Sequence, residues 1–169
     1  MPKLDFSNYE GGREQAYVKH SLLDVYLPEL AYRVGRTWES IAYIDGFAGP
    51  WQTQDPGHAD SSFGIAIDAL RRSQKGLREV HGRELHVECI LVEQNKVAFK
   101  ELEQFAERET STEFEVHAIH GEFVKKISTI DQFLGKSGRN PFQVRPSRSN
   151  GLGGYPDGQV AASAGQSQL

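Results

Sequence analysis

With 169 residues, 19 Lys and Arg against 23 Asp and Glu, and a net charge of -4, the chain has the length of one domain and no overall basic field for nucleic acid. Its single cysteine, Cys89, excludes an internal disulfide and a cysteine-based zinc site. No apolar run reaches membrane-spanning length, and MPKLDFSNYEGG lacks the apolar core of a secretory signal, so a cytoplasmic protein is expected.

Residues 1–14 read as a flexible polar lead-in. From there to about residue 34, Tyr17, Val18, Leu22, Val25, Tyr26, Leu30 and Val34 recur at helical spacing. Pro28 falls inside that run and predicts a kink, or two helices meeting. Lys19 and His20 read as solvated helix residues. A turn over 35–39 leads into IAYIDGFAGPW, where the apolar run Ile41, Ala42, Tyr43, Ile44 ends at Asp45 and the small-residue turn Gly46-Phe47-Ala48-Gly49-Pro50 follows. An apolar strand with an acidic last residue and then glycines is how a buried parallel strand opens into a nucleotide pocket, and the same pattern also occurs at ordinary strand-to-turn junctions. Residues without Cβ let the backbone approach a ligand closely.

The loop over 52–61 is polar and long for a strand-to-helix connection, as binding loops often are. Ser61 or Ser62 is placed to cap a helix over 63–74, and 75–82 reads as a basic turn. HVECILVE, 86–93, is a second strand with an acidic end at Glu93. Asn95 caps a helix over 96–108. A third strand over 114–119 leads through His120-Gly121-Glu122 into a helix that runs to about residue 134.

A helix followed by three strand–helix units predicts an α/β fold, with right-handed crossovers and a Rossmann-like parallel sheet flanked by helices. In such sheets ligands sit outside the carboxyl ends of the strands. Asp45 with its turn, Glu93, and the His120-Gly121-Glu122 corner all fall there. Glu93 reads either as an acceptor for ribose hydroxyls or as a solvated carboxylate near a helix N-terminus.

KHSLLDVYL, AYIDGFAGPW and, more loosely, LVEQNKVAFKELEQF resemble the three-Cys-motif partner proteins (TcmP), over about 17–133. That family is similar to Rossmann-like methyltransferases that bind S-adenosylmethionine. The resemblance implies that Asp45, Gly46, Phe47, Ala48 and Gly49 hold the amino-acid end of the cofactor. It also implies Glu93 at the ribose and Glu122, or its backbone, near the adenine. Trp51 departs from the family pattern, which has glycine there. The implied partner is a three-cysteine-motif protein, itself similar to iron–sulfur, radical-SAM-type enzymes.

After Pro141-Phe142 the composition changes. Residues 143–169 are rich in Gly, Ser, Ala and Gln and read as a disordered tail, with no fourth strand where a doubly wound domain needs one. The domain therefore reads as residues 15–142, incomplete at the C-terminus, with uncovered edges that favour aggregation. Back-translating 143–165 with all synonymous codons and reading one nucleotide later permits (K/R)FVLLDPTGWAGIPMDKLQPLLG. That string has a strand, a turn and a helix start, and resembles the family's fourth-strand motif. A frameshifted, truncated product is expected; a natural tail is the alternative.

Three functions follow: an S-adenosylmethionine-binding, methyltransferase-like enzyme; a non-catalytic scaffold or regulator of the three-cysteine partner; and a nucleic-acid-acting protein using Lys19-His20, Arg71-Arg72, Lys75 and Arg78 as a local basic surface. No nucleophile–base pair or metal-ligand spacing stands out. His58, His117 and His120 are placed to approach a pocket mouth, and each also reads as a satisfied or solvated histidine.

Overall fold

The computed structural model describes residues 14–49, 53, 55–136, 138–146 and 160–163; the side chains of 14–18, 146 and 160–163 are not described. The elements are α1 (Glu14–Gly35), β1 (Ser40–Asp45), α2 (Ser62–His81), β2 (His86–Glu93), α3 (Lys96–Glu109), β3 (Phe114–His120), α4 (Phe123–Lys136), β4 (Phe142–Pro146) and β5 (Val160–Ser163). They build one sheet in the order β3-β2-β1-β4-β5. The first four strands are parallel, and β5 lies antiparallel on β4. This is the expected Rossmann-like α/β fold.

Strand alternation divides the core in two. Ile41, Tyr43, Val87, Cys89, Leu91 and Val116 pack with α1, α2 and α3. Ala42, Ile44, Ile90 and Val92 pack with Ile130 and Leu134 of α4 on the opposite face. All six residues of β1 are buried, as a strand covered by helices on both faces requires.

Four expectations need correction. Residues 143–146 belong to a strand, β4, which runs parallel to β1 with Tyr43 opposite Val144. Its signal was only one alternating stretch, FQVRP, cut short by Pro146. Val144 enters the core, and the Arg145 guanidinium donates to Asp131 of α4 and to Gln143. Residues 160–163, also read as tail, form β5. The basic turn over 75–82 is instead the last two turns of α2. Gly76 lies inside the helix, which stops at Gly82 in the left-handed region, φ 59°. Finally, α1 is one helix through Pro28 rather than two helices meeting there. The Ser73 hydroxyl donates to the Pro28 carbonyl and ties α1 to α2 there.

Candidate functional site

Three connections meet at the carboxyl ends of β1, β2 and β3. The turn after β1 is pinned across the sheet by the Ala48 amide, which donates to the Val92 carbonyl at 3.0 Å. The Gly121 amide likewise donates to the Glu93 carbonyl at 2.9 Å, joining the end of β3 to that of β2. Gly46 lies against the ring of Phe123 at the start of α4: a Cβ there would come within 2.6 Å of the Phe123 ring. The glycine signal in the sequence thus serves a close approach, and the group that approaches is an aromatic ring of this chain. Phe47 is exposed beside that ring, 6.3 Å between centroids.

Asp45 ends β1 and is buried. Both its oxygens accept from the Lys19 ammonium of α1, at 3.1 and 3.2 Å. Oδ1 also accepts from the Phe47 amide at 3.1 Å, and Oδ2 from the Ser62 hydroxyl of α2 at 3.0 Å. Lys19 Nζ lies 3.1 Å from Ser62 Oγ as well. The Lys19 side chain is 41% exposed against 4% for Asp45, so the pair stands at the rim of the site with its anion inside. Lys19 is therefore an ion-pair partner and not the solvated residue its position suggested. The neighbouring Tyr43 hydroxyl is pushed well above its ordinary pKa by burial, and then by the Asp45 charge.

Ser61 is the cap of α2, accepting from the Gly64 amide at 2.9 Å. That frees Ser62 to turn towards Asp45. Gly64 is needed because a Cβ there would meet the His58 carbonyl at 2.1 Å. His58 itself packs on Phe63 and Phe105 and lies 3.2 Å from Thr53 Oγ1, an anchor of the loop.

Glu93, the end of β2, is buried, and its Oε1 accepts from the Asn95 amide. By alternation Asp45 and Glu93 both leave the sheet on the face of α1, α2 and α3, on adjacent strands. His120 lies opposite Glu93 on β3, 3.1 Å from the Gln94 carbonyl and against Phe99. Glu122 is exposed and pairs with Lys125 at 2.6 Å. His117 lies elsewhere, on the α4 face against Phe133. Pro50 and Trp51 lie outside the described residues.

A cavity of about 500 Å³ opens between α1 and the start of α2, lined by His20, Ser21, Asp24, Ala59 and Asp68 among others. Arg72 bridges Asp24 and Asp68 at 2.7 and 2.9 Å, so its carboxylates are already paired. A larger cavity, about 860 Å³, lies at the other end of the strands around Ser40, His86 and Arg139. It is away from the carboxyl ends where parallel sheets gather their ligands. The suspected basic surface is likewise paired: Arg71 with Glu109, Arg78 with Glu84 and Glu113, Lys75 with Glu79.

No group of His, Cys, Asp and Glu able to hold a metal ion occurs among the described residues. Among them, no helix is long and apolar enough to cross a membrane. No family model and no curated protein matches the chain.

The sequence located Asp45, the glycine turn and Glu93, and these do come together. It missed Lys19 and Ser62, whose partners lie 26 and 17 positions away along the chain. The only signal for Lys19 was its place in KHSLLDVYL, quoted for the resemblance.

Proposed function

We propose that this chain is a methyltransferase-like protein that binds S-adenosylmethionine at the carboxyl ends of β1 and β2. The observation that carries the reading is the pair of buried carboxylates, Asp45 and Glu93, on adjacent strand ends of a Rossmann-like sheet. The residues suit the group. Glu93, with one oxygen on the Asn95 amide, presents a carboxylate to a ribose diol. Asp45 presents one to an ammonium, and already holds an ammonium from Lys19. When bound, the cofactor supplies an electrophilic methyl group. The protein binds and orients it, and the exposed Phe47 offers a ring face at the rim.

Calorimetry with S-adenosylmethionine tests this. Wild type binds, while Asp45→Asn and Glu93→Gln each weaken binding about 10- to 100-fold, the size of one lost charge-assisted contact. No heat with wild type overturns the reading.

The resemblance supports a second component, a three-cysteine-motif, radical-SAM-type partner in the cytoplasm, for which co-purification is the assay. It also supports an out-of-frame origin of 143–169. The edge of β1 taken by β4 is where the fourth strand of such a sheet belongs, and FVLLDPTGWAGIP in the next frame would begin with that strand. The coding DNA across residues 140–165 decides it: an open next frame with that string supports the frameshift, and a closed one rejects it.

A further inference from the structure

The Asp45 carboxylate has no vacancy for a ligand's ammonium. Its two oxygens already accept two contacts from Lys19, one from Ser62 and one from the Phe47 amide. A buried carboxylate stripped of its cation is strongly unfavourable, and Lys19 is the cation that Asp45 holds. We infer that Lys19 is the specificity residue of this site: an incoming α-ammonium takes its place on Asp45, and the released Lys19 ammonium pairs with the ligand's α-carboxylate. The inference rests on the proposed cofactor reading and sharpens it, because the group selected at β1 is a zwitterionic amino acid.

Charge and geometry support the exchange. At the end of β1 one cation, Lys19, faces one anion, Asp45, and adding a zwitterion leaves two matched pairs with no net change of charge. Ser62 and the Phe47 amide keep one bond to each Asp45 oxygen throughout, so the carboxylate stays oriented while its cation changes. Lys19 sits at the rim on a flexible four-carbon stem and can turn to a new partner without moving α1. A ligand carrying phosphates and no ammonium would draw Lys19 away and leave Asp45 facing a second anion. The pair therefore selects against pyrophosphate-bearing dinucleotides, which Rossmann-like sheets also bind.

The test compares S-adenosylhomocysteine, which keeps ammonium and carboxylate, with decarboxylated S-adenosylmethionine, which keeps only the ammonium. Both are titrated calorimetrically into wild type, Lys19→Met and Lys19→Arg, with folding checked by circular dichroism. The expected result is that Lys19→Met weakens S-adenosylhomocysteine about 10- to 100-fold and leaves the decarboxylated ligand as tight or tighter, while Lys19→Arg restores the preference. Equal weakening of both ligands would make Lys19 only a structural pair. Tightening of both would make it only a competitor for Asp45. Either overturns the inference while the cofactor reading stands. Failure of wild type to bind either ligand overturns the cofactor reading and the inference together.

Discussion

Gly46 separates two roles that a glycine after a β-strand can have. Its missing Cβ is required by the Phe123 ring, whose three nearest atoms would lie 2.6 to 2.9 Å from an added methyl. Gly46→Ala should therefore destabilise the fold by about 1–3 kcal/mol, as overpacking does. In a Phe123→Ala background the same change should cost much less, a coupling that urea titration of the four proteins measures. His20 gives a second test. Burial foremost, and then Lys19, hold its pKa below the ordinary 6.5, while Asp60 and Asp45 pull it up. A histidine kept neutral in the folded state binds fewer protons than in the unfolded chain, so its stabilisation is complete above pH 6.5 and is lost as the pH falls towards the lowered value. Replacing it by Gln should flatten the fall of stability below pH 6.5. At this scale the sequence revealed the residues that end strands, Asp45 and Glu93, because a carboxylate after an apolar run is conspicuous. Lys19 and Ser62 were illegible, since each reads as a helix residue until tertiary packing brings α1 and α2 to the end of β1.

Elements with strong periodicity were readable nearly to the residue. β2 was expected over 86–93 and is His86–Glu93, because a run of Val, Cys, Ile and Leu closed by Glu admits little else. α3 begins where Asn95 caps it, its side chain accepting from the amides of Val97 and Ala98; Asn95→Ala should cost about 1 kcal/mol in thermal or urea unfolding. The failures share one cause, which is tertiary override of local signals. The stretch 75–82 looked like a basic turn and is the end of α2, packed on α1. FQVRP looked like the start of a tail, but the open edge of β1 and the buried Val144 make it a strand. Val144→Ala discriminates the two descriptions: in a strand it removes two buried carbons and costs about 2 kcal/mol, whereas in a tail it costs nothing measurable.

The whole molecule can be followed through its one cysteine. Cys89 is fully buried at the middle of β2, a strand hydrogen-bonded to β1 on one side and β3 on the other. Burial drives its thiol pKa far up, so the native protein holds almost no thiolate at neutral pH. Labelling by a thiol reagent must therefore wait for an opening that separates β2 from a neighbouring strand and from the helices on its face. Because that face carries most of the core, with Leu70, Leu77, Leu102 and Phe105 on it, such an opening is close to complete unfolding. The opening free energy from labelling rates at pH 8 should then equal the unfolding free energy from urea. Lys19→Met should lower both by the same amount, since the Lys19–Asp45 pair ties α1 and α2 to β1. Labelling far faster than urea unfolding allows would mean instead that the sheet parts locally at β2, and that the strand ends carrying Asp45 and Glu93 are not held as one unit.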